Sequence, residues 1–213
     1  MTAEISDPSE LLRRAGAGDE QALNELLARY RDRLRFMVRL RLNRRLQGRI
    51  DPSDVIQEAY LEITRKLPEY LRDPRMPFFL WLRYITGQKL IGLHRHHLGT
   101  QMRDAEQEVS LYRGALPEAN SVSLAAHLLG HLTSASRAAI RAEEQIQVQE
   151  ALNSLEPVDR EILALRHFEM LSNEETAQVL GIKKSAASNR YIRALRRIKG
   201  ILSAIPGFFD NEA

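Results

Sequence analysis

Residues 177–200 read "AQVLGIKKSAASNRYIRALRRIKG". This stretch starts as the end of one amphipathic helix, breaks at Gly181 and resumes as a long helix that carries seven bases and no acid between Lys183 and Lys199. Ala177 is small where two helices would cross, and Gly181 supplies the positive φ that a tight turn needs. The pattern therefore predicts a helix-turn-helix.

The second helix of this unit is expected to present a polar, basic face. Hydroxyl, amide and guanidinium groups near its start suit base edges in a major groove, and the later cations suit phosphates. The predicted DNA-binding residues are Lys183, Lys184, Ser185, Ser188, Asn189, Arg190, Arg193, Arg196 and Arg197. The apolar residues Ile182, Ala187, Leu195 and Ile198 are predicted to be buried. The alternative is an ordinary helical hairpin with a solvated basic face; the lack of interleaved acids disfavours it.

The composition indicates a mostly helical protein with uneven charge. The chain has 213 residues, 44% of them hydrophobic, with only 11 glycines and 8 prolines. Residues 29–49 contain nine arginines and one acid, whereas residues 143–175 contain nine acids and two arginines, which suggests different partners for the two halves. The absence of cysteine excludes disulfides and thiolate zinc sites. With no apolar run at the N-terminus or elsewhere, we expect a cytoplasmic chain without membrane insertion.

The N-terminal half is predicted to form three or four helices with one core. Asp19 caps a first helix that is expected to end near Gly48, and Asp51 with Pro52 begins a second. After Pro68, the prolines in "EYLRDPRMP" (residues 69–77) predict a loop. Helix resumes in "FFLWLRYITGQKLIGLHRHHLG" (residues 78–99), where Trp81 and Ile85 are expected to be buried.

The remaining residues predict a linker and a second helical unit. Periodicity fades over residues 101–136, apart from a short helix near 125–132, and helices are expected at about 137–153, 157–170, 173–180 and 184–204. The predicted fold is all-α, with two small helical domains joined by a flexible linker. We assign residues 1–100 to the first domain, 101–136 to the linker, 137–205 to the second domain and 206–213 to a tail.

Two features of the N-terminal half suggest binding surfaces. On the helix after Asp51, one exposed stripe holds Asp54, Gln57, Glu58 and Leu61, and a leucine among polar groups suggests protein docking; a solvated face with a stray leucine is the alternative. Aromatic residues at 78–84 are followed by cations, a combination that suits unpaired nucleic acid.

No catalytic or cofactor chemistry is predicted. The histidines at 94, 96 and 97 lack carboxylates at helical spacing, so phosphate contact is favoured over a metal site. The sequence shows no paired acid and base, nucleophile elbow or phosphate loop, so we expect neither an enzyme nor a cofactor.

In this order, the motifs resemble a bacterial RNA polymerase sigma factor of the extracytoplasmic-function (ECF) type, a family that keeps two domains called region 2 and region 4. The region 2 resemblance covers Leu11 to Leu98, with "GDEQALNELLARYRDRL", "DPSDVIQEAYLEI" and "FFLWLRYITGQKL". The region 4 resemblance covers Glu144 to Leu202 and includes the helix-turn-helix. The alternative that remains is a helix-turn-helix regulator whose N-terminal half binds a ligand or dimerises.

The resemblance implies core RNA polymerase and promoter DNA as partners, and an anti-sigma factor as a further one. It implies that Asp54, Gln57, Glu58 and Leu61 dock on the polymerase and that region 4 reads the minus-thirty-five duplex. It also implies that region 2 captures the melted minus-ten strand, with a flipped base held in the loop after the docking helix. The residues that it assigns to the minus-ten DNA are Tyr70, Leu71, Arg72, Asp73, Arg75, Met76, Arg83, Tyr84, Gln88, Lys89, His94 and Arg95.

Overall fold

Helices make up most of the described part of the chain. The computed structural model describes residues 7–98, 116–117, 119–130 and 138–204. The helices are α1 (Pro8–Gly16), α2 (Glu20–Arg41), α3 (Pro52–Arg72), α4 (Phe78–Leu98), α5 (Ser121–Gly130), α6 (Ala138–Asn153), α7 (Pro157–Leu163), α8 (Asn173–Leu180) and α9 (Lys184–Ser203). A single π-helical turn, Ala164–Phe168, extends α7. No β-strand occurs within these residues, so the all-α prediction is confirmed.

The predicted capping residues begin their helices. Asp19 accepts a hydrogen bond from the Ala22 amide at 3.0 Å, and Asp51 accepts one from the Ser53 amide at 2.7 Å. Each carboxylate satisfies an amide that the first helical turn leaves unpaired. A further helix, α1, was not predicted; Asp7 caps it and Pro8 occupies its first turn.

Two predicted helix ends are wrong. Helix α2 ends at Arg41 rather than near Gly48, because Leu42 is extended and the Asn43 side chain accepts the Arg45 amide in a local turn. Helix α3 continues through Pro68 to Arg72, so residues 69–72 are helical and not a loop. Proline removes one backbone hydrogen bond, whereas the continued helix buries Leu67 and Tyr70 on either side of it.

Two buried apolar clusters hold the helices together. The first consists mainly of α1–α4 residues, including Met37, Ile63 and Leu82, and it contains Trp81 and Ile85 as predicted. The second joins α5, α6, α7 and α9, with Leu152 among its buried members. The prediction that Leu195 is buried is wrong: it is 37% exposed, because the inner face of α9 is formed by other positions, Ala187, Ala194 and Leu202.

Both clusters extend across the two halves of the chain. Leu40 of α2 lies in the second cluster, whereas Leu165 and Leu171 lie in the first. The Phe36 and Phe168 rings stack with their centroids 5.8 Å apart, and the Asn120 amide donates to the Leu40 carbonyl at 2.8 Å. The C-terminal half therefore packs directly against α2.

Helix α5 lies inside the segment that was expected to be a flexible linker. Its Leu124 and Ala125 are fully buried in the second cluster, so this part of the segment is packed. Residues 99–115 and 131–137, which include the end of the predicted 125–132 helix, and the tail 206–213 lie outside the described residues. Among the described helices, none has the length and apolar character needed to cross a membrane.

Candidate nucleic-acid and polymerase interfaces

The predicted helix-turn-helix is formed by α8 and α9. Gly181 ends α8 in the left-handed conformation with φ 63°, and the Ile182 amide donates to the Ala177 carbonyl at 3.0 Å. A capping box between Ser172 and Glu175 begins α8. The Asn173 side-chain amide donates to the Lys184 carbonyl at 2.9 Å, which ties the start of α8 to the start of α9.

The start of α9 presents the predicted polar face to solvent. Lys183, Lys184, Ser185 and Asn189 are exposed, and Ser188 is half-buried. Lys184 pairs at 3.2 Å with Glu174, and both side chains are exposed. Further along the helix, Arg196 and Arg197 are exposed and make no ion pair to a residue in the described part of the chain. Free cations at this end of the helix suit phosphate contacts.

Arg190 and Arg193, which were predicted to face DNA, are bound instead to the start of α7. Their guanidinium groups contact the carboxylates of Asp159 and Glu156 at distances between 2.8 and 3.4 Å. Neither acid was part of the predicted site. The signal that could have revealed them is the pair of acids at the start of α7. Helix α7 packs on α9, and this packing brings the two acids close to the α9 arginines.

Ile192 is a further exposed residue of α9 that was not among the predicted site residues. It is 45% exposed and lies one turn after Ser188 and Asn189 and one turn before Arg196. An exposed β-branched side chain at this place could contact the methyl group of thymine in a major groove.

In the N-terminal half, Tyr70, which was predicted to contact the minus-ten DNA, packs in the core beside Trp81, whose burial was predicted. Tyr70 and Trp81 stack with centroids 4.5 Å apart, and Phe78 packs on both rings. The Tyr70 hydroxyl donates to the Met76 carbonyl at 2.9 Å, which fixes the turn between α3 and α4. Tyr70 and Met76 are each only 8% exposed, so they shape this turn more than they offer a free surface.

A cavity of about 240 Å³ opens at this turn. Its lining combines aromatic, charged and apolar side chains: Lys66, Glu69, Tyr70, Asp73, Arg75, Met76, Trp81, Tyr84 and Ile85. Five of the predicted minus-ten residues thus meet in one place. Leu71 is half-buried and Arg72 is exposed, and neither lines the cavity.

A larger groove of about 590 Å³ continues between α3 and α4. Among its lining residues are Tyr84, Gln88 and Lys89 of the predicted set, whereas Arg95 is exposed outside it. Glu62 lies in the groove 3.6 Å from the Lys89 ammonium group. Hydrogen bonds from Arg65 and Lys66 lower the pKa of Glu62 to about 2, so this carboxylate is ionised and offsets part of the positive charge there.

Two of the predicted minus-ten residues point into the protein. Arg83 is 5% exposed, and its Nε donates to Glu169 at 2.6 Å. His94 is 2% exposed, and its Nε2 accepts the Asn43 amide at 3.2 Å. Burial lowers the pKa of His94, consistent with a neutral ring that accepts this hydrogen bond. In this arrangement neither side chain is accessible to DNA, because both are buried and hydrogen-bonded within the protein.

Arg83 belongs to a group of four charged residues, Arg41, Arg83, Glu161 and Glu169, that we call the buried ion cluster. Arg41 of α2 contacts both Glu161 and Glu169, and Arg83 of α4 bonds Glu169. Arg41 and Glu169 are completely buried side chains. Beside the cluster, Arg33 donates to the Glu169 and Met170 carbonyls at 3.0 and 2.9 Å. These contacts join the two halves, and sequence reasoning missed them because Arg41 looked like one of nine surface arginines.

The predicted docking face is open to solvent. Asp54, Gln57 and Glu58 are exposed on α3, and Leu61 is 76% exposed. The opposite side of the helix is buried through Ile56, Ala59, Ile63 and Leu67. A leucine that is this exposed contributes little to the core, and its side chain is open to solvent.

Within the described part of the chain, no group of three or more histidine, cysteine, aspartate or glutamate side chains is placed to hold a metal ion. The neighbouring rings of His96 and His97 are exposed and meet edge to face, with centroids 4.9 Å apart.

Known proteins are similar to this chain over both of its halves. Residues 5–199 match the family model described as ECF sigma factor. The chain is 31% identical over 199 residues to the ECF RNA polymerase sigma factor SigD of Mycobacterium tuberculosis strain H37Rv, covering 93% of this chain and 85% of SigD. It is 30% identical over 196 residues to the ECF RNA polymerase sigma factor ShbA of Streptomyces griseus, covering 90% of this chain and 93% of ShbA.

A solved structure has the same fold. It is CnrH in complex with the cytosolic domain of CnrY, with a TM-score of 0.54 and 24% sequence identity over 93% of this chain and 99% of that chain. The helices, their order and the matched sequence agree, and the chain belongs to the ECF sigma factor family.

Proposed function

We propose that this ECF sigma factor binds core RNA polymerase and directs initiation at promoters through two separate DNA contacts. Residues 1–100 act as region 2, residues 137–205 act as region 4, and residues 101–136 connect them. The observation that carries the proposal is the helix-turn-helix of α8 and α9, whose second helix starts with exposed polar and basic side chains. This unit suits duplex DNA.

Region 4 reads the minus-thirty-five duplex with the first turns of α9. Ser185, Ser188 and Asn189 reach base edges, because they lie at the N-terminal end of the helix that enters the major groove. Lys184, Arg196 and Arg197 contact phosphates and contribute affinity that depends on salt.

Region 2 takes up the melted minus-ten strand at the turn between α3 and α4. The cavity there is lined by rings that can stack on a base and by Lys66 and Arg75, which can pair with the backbone. Extruding a base costs a few kcal/mol, so a preformed cavity lowers the energy of the open state. The rest of the strand follows the groove past Tyr84, Gln88 and Lys89 toward Arg95.

Core polymerase docks on the exposed face of α3, at Asp54, Gln57, Glu58 and Leu61. We also propose an anti-sigma factor as a partner; the similar structure of CnrH is a complex with the cytosolic domain of CnrY.

The test is run-off transcription with core polymerase on fragments of the genome that encodes this chain. We expect discrete transcripts that require the chain, and loss of those transcripts when Ser188 and Asn189 are both replaced by alanine. A chain that binds duplex DNA but neither associates with core polymerase nor starts transcription would instead be a helix-turn-helix regulator, and the proposal would be wrong.

A further inference from the structure

The carboxylate of Asp159 holds two arginines of the recognition helix. Asp159 lies in the first turn of α7, and its side chain is 6% exposed. It accepts hydrogen bonds from Arg190 Nη1 at 2.9 Å, from Arg193 Nε at 3.0 Å and from Arg193 Nη2 at 2.8 Å. At the more exposed edge of this group, Glu156 lies 3.1 Å from Arg190 and 3.4 Å from Arg193.

These four side chains carry no net charge together. Two carboxylates balance two guanidinium groups, and the better buried carboxylate, Asp159, contacts both arginines. A nearly buried carboxylate cannot leave its partners without a desolvation cost, so Arg190 and Arg193 are unlike Arg196 and Arg197, which make no ion pair to a described residue.

This difference affects how the helix meets DNA. Attraction to phosphates is independent of sequence, and every additional free cation strengthens binding to any duplex. Residues that read bases discriminate among promoters only if this general attraction is limited. Neutralising two cations next to Ser188 and Asn189 limits the general attraction to phosphates at the place where the helix reads bases.

We propose that Asp159 is a specificity-determining residue of this sigma factor: it positions Arg190 and Arg193 against α7 and suppresses their attraction to phosphates. The inference rests on the proposed role of α9 in reading DNA. Asp159 acts through the two arginines and does not contact the DNA itself.

The experiment measures binding of the full-length chain to a labelled 30-base-pair duplex of random sequence by fluorescence anisotropy over a range of salt concentrations. In Asp159→Asn, the freed arginines should tighten binding about 3- to 10-fold at low salt. The log–log salt dependence should become steeper by about 0.9 for each new phosphate contact. Glu10→Gln is the matched control, because it also removes one negative charge, from an exposed pair in α1; it should bind like the wild type.

A loss of structure cannot imitate this result, since an unfolded recognition helix would bind DNA less tightly. The ratio of affinity for a promoter fragment, identified by run-off transcription, to affinity for the random duplex should fall in Asp159→Asn. Unchanged or weaker binding of a folded Asp159→Asn chain to the random duplex would overturn the inference.

A second variant decides the matter if Asp159→Asn does not fold. In the charge-balanced variant Glu156→Gln/Asp159→Asn/Arg190→Gln/Arg193→Gln, which removes both carboxylates together with both guanidinium groups, the inference expects random-duplex affinity within about twofold of the wild type and an unchanged salt slope. A slope shallower by about 1.8 would mean that both arginines contact phosphates, and would overturn it. Failure of the wild-type chain to bind duplex DNA at all would count against the proposed function itself.

Discussion

At the scale of single residues, Glu169 links the C-terminal half to two helices of the N-terminal half. Its side chain is fully buried between Arg41 and Arg83, which come from two different helices of the N-terminal half. Burial alone would raise the pKa of Glu169, but the charges and hydrogen bonds of the two arginines outweigh burial and lower it. The carboxylate is therefore ionised in the folded protein.

Glu169→Gln should lower the free energy of unfolding at neutral pH by about 3 to 5 kcal/mol, because it leaves two arginines without their buried partner. Urea unfolding followed by circular dichroism measures this loss. Because the folded-state pKa lies below the ordinary value of 4.5, this stabilisation is present above pH 4.5 and is lost as the pH falls through the folded-state pKa. A difference between variant and wild type that stayed constant with falling pH would contradict this role.

Met170 is a second informative residue, because it has a positive φ of 57° although it is not glycine. Met170→Gly should raise the free energy of unfolding by about 0.5 to 1 kcal/mol, since glycine adopts this conformation without strain and the methionine is largely exposed. Gly181→Ala, at φ 63°, should have the opposite effect. Thermal melting distinguishes the two, and a lower melting temperature for Met170→Gly would mean that its side chain stabilises the turn.

At the scale of helices, α3 and α9 each combine a buried stripe with a free face. In α3, Ile56, Ile63 and Leu67 hold the helix in the core and leave Leu61 on the outside. In α9, Ala187 and Ala194 pack inward and leave Asn189 and Ile192 on the outside. The helical repeat therefore separates the core residues from the exposed residues that the proposed function assigns to binding.

Leu61→Ala should weaken binding to core polymerase about tenfold or more, because an exposed apolar anchor in a docking surface is lost. The melting temperature should stay unchanged, since Leu61 contributes little to the core. Binding to labelled core enzyme is the measurement, with Arg13→Ala on α1 as the exposed control. Equal binding of Leu61→Ala and wild type would place the docking face elsewhere.

Ile192→Ala should lower affinity for the minus-thirty-five duplex by about 0.8 kcal/mol, or roughly fourfold, for each apolar group it removes from contact with a thymine methyl. Replacing the thymines of that duplex by uracils, which lack the methyl group, should remove the difference between variant and wild type. If the difference persists with uracil, Ile192 does not contact a thymine methyl.

At the scale of the whole molecule, the contacts between the halves conflict with simultaneous binding at two promoter elements. A compact chain of this length is about 45 Å across, from its expected radius of gyration. Elements roughly 25 base pairs apart lie on the order of 80 Å apart along the DNA, at 3.4 Å per base pair. If the two halves bind both elements at once, as proposed, we expect the contacts of the buried ion cluster to break.

Separation of the halves can be measured by energy transfer between two dyes. The chain has no native cysteine, so Glu10→Cys and Lys199→Cys provide the two labelling sites. The efficiency of energy transfer between the dyes should fall when core polymerase is added. In the labelled Glu169→Gln variant, this efficiency should already be lower in the free chain. Unchanged transfer on adding core polymerase would show that the halves stay together.

Much of this protein could be predicted from local patterns. The helix-turn-helix, the caps at Asp19 and Asp51 and the buried stripe of α3 all depend on residues within one or two turns of each other, so periodicity and turn chemistry reveal them. The family resemblance follows from the same motifs in order. The end of α3 was mispredicted because a local rule about Pro68 was outweighed by the burial of Leu67 and Tyr70.

Only the tertiary structure decided what each charge does. Arg41, Arg83, Arg190 and Arg193 look alike in the sequence, yet the first two lie in a buried ion cluster and the last two are bound to Asp159 and Glu156. The acids that bind them lie 31 to 128 residues away along the chain. The amino-acid sequence by itself thus determined most of the helices and the resemblance to the family. Which cations remain free to meet DNA depends on long-range packing, because the energy of a charge is set by its neighbours in space.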